Sequence, residues 1–303
     1  MYAKYVTNAT STLANVIADI AALLCGGSIA SLSSSCDKVN STLVSTVAPG
    51  WTAYDISGSV ANSGRVISCA DAGALTTKYA NIMSPGAGSI DVLVYDAFNS
   101  GTHTGTNAST AVNTPTTGVS TTVSNVFAIW ATPRGFYVHG VTTASGGFGC
   151  FEYSRDIQYL IGTTYPCCMA MSMATFSGAS AALVGQTSRV KNLTAAGDTT
   201  GASASVPLGV ITNKWGVASR VSGVIIDQIR DNAEALYMEL RPLYAMSLQY
   251  GSTTRAVPLG KLYDVLECTH LTGANVLDTF SDGTDTYSYI PVDANTAIAL
   301  KNS

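Results

Sequence analysis

The sequence predicts a mainly β fold: antiparallel sheets or a sandwich, with one N-terminal amphipathic α-helix and long small-residue loops. Three observations carry that expectation. Only 11% of the 303 residues are charged, and Glu occurs four times, as Glu152, Glu234, Glu239 and Glu267. Such a composition is poor for surface helices and suits strands and turns. The clearest helical period runs only from Ser11 to Leu24. Last, the most aromatic span, Val126 to Asp156, reads as two apolar runs around Pro133-Arg134-Gly135 followed by a third run after Ser145-Gly146-Gly147. Pro133 presets φ at a turn corner and Gly135 supplies freedom at its exit, so the span predicts a hairpin plus one strand at the centre of the core.

In chain order, Leu13, Val16, Ile17, Ile20, Leu23 and Leu24 fall on one helical face. Thr10 or Ser11 is expected to cap its start and Gly26 to close its end. Ile29 to Lys38 is Ser-rich and predicts a loop. Leu43, Val44 and Val47 predict a short strand stopped by Pro49-Gly50, with Trp51 to Ile56 as its hairpin partner and Ser57 to Gly64 as a polar turn. Arg65 to Cys69, Thr76 to Met83 and Ser89 to Ala97 read as strands. Asn99 to Thr122 has a loop composition and is expected to be ordered only where a neighbour covers it.

Further on, Ile157 to Tyr165 is irregular, Cys167 to Met173 predicts a buried strand, and Ser177 to Ser205 reads as loops. An apolar run resumes from Val206 to Ile211. Val224 to Tyr250 divides at Arg230-Asp231-Asn232-Ala233 into two strands, because Pro242 would break a continuous helix. The C-terminal part predicts strands at Lys261 to Cys268, Val276 to Phe280, Thr286 to Ile290 and Ala297 to Leu300, with a tight Asp282-Gly283 turn. Three segments result: 1–56, an N-terminal helix and strand arm; 57–255, a central β domain; and 256–303, a C-terminal β-hairpin region.

Composition also excludes functions. A formal net charge of −4 argues against a nucleic-acid surface. No run approaches the roughly 20 apolar residues of a membrane span, and the helical candidate carries Asp19. Lys4 is the only basic residue before it and Leu24 is too large for a cleavage site, which argues against an export leader. Seven cysteines, an odd number, do not suggest a disulfide framework. They read as small buried hydrophobes in a protein assembled in a reducing cytosol. Between Tyr79 and Pro133 the only charges are Asp91 and Asp96. Either hydroxyls keep this surface wet, or other subunits cover it, as interface cores are depleted in charge.

The search for chemistry names no catalytic, cofactor-binding or metal-binding residues. His103, His139 and His270 are dispersed, and Cys268 with His270 is one pair rather than a site. Asp278, Asp282 and Asp285 crowd one turn without the spacing of a calcium loop. No phosphate-binding loop or nucleophile elbow is present. Glu152 and Asp156 lie close in sequence, but a strand separates them too far for glycoside hydrolysis unless it bends. The structural reading is that Arg155 pairs with one of these acids, and that Glu152 belongs to a buried pair or network.

Pro258-Leu259-Gly260-Lys261-Leu262-Tyr263-Asp264-Val265-Leu266, then Asp278-Thr279-Phe280 with Asp282-Gly283-Thr284-Asp285-Thr286-Tyr287, and the closing Ala297-Ile298-Ala299-Leu300-Lys301 resemble the ends of structural proteins of tailed bacteriophages. Phe151-Glu152-Tyr153-Ser154-Arg155-Asp156 with Tyr165-Pro166, and Cys36-Asp37-Lys38 with Ala48-Pro49-Gly50-Trp51-Thr52, are similar to such proteins too. The resemblance implies a virion component of the tail, neck or baseplate, assembled in the host cytoplasm, with copies of itself and other virion proteins as partners. It implies no enzyme, no cofactor and no transferable functional residue. The alternative is a phage adhesin or carbohydrate-binding β module, in which Trp51, Trp130, Tyr137, Tyr153 and Trp215 would stack on a host glycan. A glycan-degrading tail enzyme using Glu152 and Asp156 is the third reading.

Overall fold

The computed structural model describes residues 1–44, 49–70, 77–86, 88–95, 97–106, 112–113, 124–141, 146–152, 168–174, 208–213, 216–221, 224–225, 240–248, 256–269, 274–276, 278–291 and 296–302. The chain opens with strand β1 (Tyr2–Val6), helix α1 (Leu13–Leu24) and the short strand β2 (Thr42–Leu43). A meander follows: β3 (Trp51–Val60), β4 (Gly64–Cys69), β5 (Lys78–Met83) and β6 (Asp91–Tyr95). Two small strands, β7 (Ala97–Asn99) and β8 (Thr104–Thr106), precede β9 (Val112–Asn113). The aromatic span forms β10 (Val126–Thr132), β11 (Gly135–Gly140) and β12 (Gly146–Glu152), with β13 (Cys168–Ala174) after it. Then come β14 (Leu208–Asn213), β15 (Gly216–Val221), β16 (Val224–Ile225) and β17 (Leu240–Leu248). The C-terminal strands are β18 (Ala256–Thr269), β19 (Thr279–Ser281), β20 (Thr286–Pro291) and β21 (Thr296–Asn302).

These strands make three large sheets, and every strand pairing in them is antiparallel. The central sheet runs β13-β12-β11-β10-β1-β2. The second runs β3-β4-β5-β6-β9, and the third β16-β15-β14-β17-β18-β21-β20-β19. Period-2 alternation sorts the central strands between two faces. Phe127, Ile129, Ala131, Phe136, Val138, Phe148 and Cys150 join one core with Ile67, Ala80, Ile82 and Val92 of the five-stranded sheet. The opposite face carries Trp130, Tyr137 and Phe151, with the Phe151 ring 6.0 Å from Trp130 and 6.2 Å from Tyr137. That face meets the C-terminal sheet, where the Trp130 indole N–H donates to the Lys301 carbonyl at 2.9 Å. A sheet covered on both sides needs apolar residues at successive positions, which is why β10 to β12 form the most aromatic part of the sequence.

Helix α1 packs between the two sheets of the larger core. Val16, Ile17, Ile20, Leu23 and Leu24 are buried there, and the helix touches β3, β4, β5 and β10. Its cap is Thr12, one residue beyond the expected positions, and the Thr12 side chain accepts from the Asn15 N–H at 3.3 Å. Ser11 instead donates its hydroxyl to the Ser35 carbonyl. Gly26, at φ 79°, closes the helix with its N–H on the Leu23 carbonyl at 2.9 Å. Asp19 is buried with the apolar residues. Its carboxylate accepts from the Tyr5 hydroxyl at 2.9 Å and from the Ser33 N–H at 2.7 Å, tying the helix to β1 and to the Ser-rich loop.

Three local expectations fail. β2 pairs with β1, and β3 pairs with β4, so Pro49-Gly50 does not close a hairpin. Turn residues are a local signal, whereas pairing depends on which strand edge is open; β1 offers one. The polar run after Ile56 continues β3 to Val60 as an edge strand whose register shifts between Asp55 and Val60. An edge tolerates small polar residues that a central strand would not. The tract from Asn99 to Thr122 is not a plain loop: it contributes part of the β7–β8 hairpin and the two-residue β9. The expected regions from Ile157 to Tyr165 and from Ser177 to Ser205, and the split at Arg230, lie outside the described residues.

Candidate functional site

Among the described residues, a dense gathering of polar groups lies where the β10–β11 turn meets the other two sheets. Register creates it. Trp51 pairs with Cys69, and Cys69 with Lys78, so these three stand side by side across β3, β4 and β5. Lys78 shares the parity of Ala80 and Ile82, so it faces the core. Glu152 shares the parity of Phe148 and Cys150 and faces it from the central sheet. The Lys78 ammonium donates to Glu152 Oε1 at 2.6 Å, with the two side chains 1% and 0% exposed. It donates also to the Pro133 carbonyl at 2.9 Å and lies 5.3 Å from the Trp51 ring. The Cys69 thiol donates to the same Pro133 carbonyl at 3.3 Å.

The turn itself is held on every side. The Trp51 indole N–H donates to the Thr132 carbonyl at 2.8 Å, and the Glu152 N–H to the Arg134 carbonyl at 2.8 Å. Toward the C-terminal sheet, the Thr132 hydroxyl donates to Asp264 Oδ2 at 2.7 Å, and the Arg134 guanidinium lies 4.0 Å from the Tyr263 ring. Asp264 reaches the turn because β18 bulges there: it adopts φ 62°, and the register with β17 shifts between Pro242 and Tyr244. Four residues, Thr132 to Gly135, therefore join all three sheets.

The Glu152 carboxylate is thus the acid of a buried ion pair, as expected, and its described partner is Lys78. Tyr153, Arg155 and Asp156 lie outside the described residues. An acid with no exposed surface, hydrogen-bonded to an ammonium, is poorly placed for proton transfer to a bulky substrate. Trp51, Trp130 and Tyr137, named above as ring-stacking candidates, are buried core residues; Trp215 lies outside the described residues. Asp282 accepts from the Thr284 and Asp285 N–H groups at 2.8 Å each, and those backbone bonds hold its carboxyl below the usual range. Asp278 accepts from the Asn275 N–H, and Asp285 pairs with Lys301 at 2.8 Å. These acids serve the turn. Among the described residues no group of three His, Cys, Asp or Glu could hold a metal ion. Cys167 and His270 are not among the described residues.

Two features were missed by sequence reasoning. Lys78 stands 74 positions from Glu152; its signal is a lysine at an apolar position of an alternating strand. The second is Asp55 with His103, whose Nδ1 lies 2.7 Å from Asp55 Oδ2. The Ser57 hydroxyl donates to the other Asp55 oxygen at 2.8 Å. Burial pushes the Asp55 carboxyl up, but the hydrogen bonds from His103 and Ser57 outweigh it and hold the carboxyl below its usual range. No local signal in the sequence links these two residues. His139 is buried against Tyr137, with no partner for Nδ1 among the described residues; burial lowers it to about 4.

Comparison with known proteins adds no relative: no protein-family model matches the chain, and no curated sequence matches it. No helix among the described residues is long and apolar enough to cross a membrane.

Proposed function

We propose that the chain is a structural subunit of a tailed-phage virion, in the tail, neck or baseplate, acting through contacts with copies of itself and with other virion proteins. It is not an enzyme in this reading. The observation that carries the proposal is where the ionisable groups go. In a chain with 11% charged residues, Lys78, Glu152, Asp19 and Asp55 are spent inside, holding sheets, helix and loops to one another. Charge used this way specifies a rigid shape and leaves a hydroxyl-rich exterior suited to broad protein contacts. The resemblance of Pro258 to Lys301 and of Phe151 to Asp156 to phage structural proteins supplies the virion.

The test is solution size and location. Sedimentation of the purified chain should reveal rings or other closed homo-oligomers, or a monomer that assembles only with added virion proteins. Mass spectrometry of phage particles stripped stepwise from tail to head should find the chain in a tail, neck or baseplate fraction. A stable monomer that binds purified host glycan with no partner would instead support the adhesin reading.

A further inference from the structure

The β7–β8 hairpin is built differently from the rest of the described fold. Its two strands pair only with each other, as a separate two-stranded sheet. No described backbone ladder joins it to the larger sheets, so side chains must hold it in place. Phe98 is buried with Val60 and Val66, and Tyr79 and Tyr95 pack against that cluster on the outer face of the five-stranded sheet. The Phe98 ring lies 5.4 Å from Tyr95 and 6.2 Å from Tyr54, and the Tyr54 hydroxyl donates to the Phe98 carbonyl at 3.1 Å. Gly105 lies flat on the Tyr95 ring, where any Cβ would collide with it. At the far end His103, held at φ 54°, reaches across to Asp55 of β3.

We infer that this hairpin is a clasp, a unit that opens and closes by itself over the aromatic bed of Tyr54, Tyr79 and Tyr95, with the Asp55–His103 pair as its pin. An isolated two-stranded hairpin is marginal alone. One buried phenylalanine, the Tyr54 hydroxyl on its carbonyl and the His103–Asp55 hydrogen bond are a small fraction of what holds the three large sheets. Such a segment opens at a far lower free energy than global unfolding. The left-handed backbone at His103 adds strain that opening relieves, while Asp55 stays anchored by Ser57. Opening frees Phe98 and uncovers the half-buried Tyr79 and Tyr95, widening the aromatic surface that the exposed Tyr54 and Ile56 already begin.

Hydrogen exchange on the full chain, read by peptide mass spectrometry, tests this. Peptides over residues 97–106 should exchange much faster than those over β4 and β5, and with a weaker urea dependence than those strands show. His103→Ala should speed exchange over 97–106 roughly tenfold or more, the scale of a lost hydrogen bond to a charged group, while β4 and β5 stay unchanged. Asp55→Asn gives a second route to the same weakening. Wild-type protection of 97–106 equal to that of β4 and β5 would overturn the clasp. So would a His103→Ala variant that loosens all of these peptides together, or leaves 97–106 unaffected.

Discussion

Lys78→Met tests the buried junction most directly. The substitution keeps the length of the side chain and removes its charge. It leaves the Glu152 carboxylate buried at zero exposure, without the ammonium that sits 2.6 Å away. It also deprives the Pro133 carbonyl of a donor at 2.9 Å and Trp51 of its neighbouring cation. Breaking a buried ion pair from one side costs about 3–5 kcal/mol. For a protein with about 5–15 kcal/mol of total stability, that is a large share. Glu152→Gln should cost a similar amount, because it strands the ammonium. The double variant, Lys78→Met with Glu152→Leu, removes both charges and should recover most of the loss, since apolar replacement of a whole buried pair is often neutral or better. Urea unfolding followed by tryptophan fluorescence reads all four proteins, because Trp51 and Trp130 report on the two faces of the central sheet. A double variant no more stable than Lys78→Met, or single losses below about 1 kcal/mol, would refute the claim that this pair holds the sheets together.

Other outcomes follow from the same packing. Ile17→Asp should cost several kcal/mol and block assembly, because Ile17 is fully buried between the two sheets; circular dichroism and sedimentation would show it, and a stable, assembling variant would contradict the docking of α1. Gly149→Ala should destabilise by about 1–3 kcal/mol, since a Cβ there meets the Phe136 carbonyl oxygen; an unchanged melting temperature would count against the close approach of β11 and β12. His139 is neutral in the fold, lowered from 6.5 to about 4 by burial. Its contribution to stability is whole above pH 6.5, falls as the unfolded chain takes up a proton, and levels off below about 4, a total of roughly 3 kcal/mol. His139→Leu should flatten that part of the pH profile. Asp91 acts in the opposite sense: burial raises it to about 6, so its cost is full above pH 6 and disappears as pH falls toward 3.8. Asp91→Asn should therefore stabilise most above pH 6, and a pH-independent gain would show that the carboxyl is not desolvated.

Much of the architecture was legible along the chain. The alternation and turn chemistry of Val126 to Glu152 mark a β hairpin and a third strand, because period-2 burial and a Pro-Arg-Gly corner are properties of neighbouring residues. The apolar stripe of α1 and the Asp282-Gly283 turn are local in the same sense. Scarcity of charge announced a strand-rich fold, and the burial of Glu152 followed from its aromatic surroundings.

What tertiary structure alone decided was partnership. Strand pairing depends on open edges, so Pro49-Gly50 did not join β2 to β3, and β1 took its place between β2 and β10. The partner of Glu152 is Lys78, brought opposite it because two sheets stack with one parity facing inward, a relation no sequence spacing encodes. Asp55 and His103 meet because a small hairpin folds back on the sheet that precedes it. Local propensity is a property of consecutive residues and can be read from them. Ion pairs and edge pairing between distant segments exist only once the hydrophobic faces have chosen how to stack.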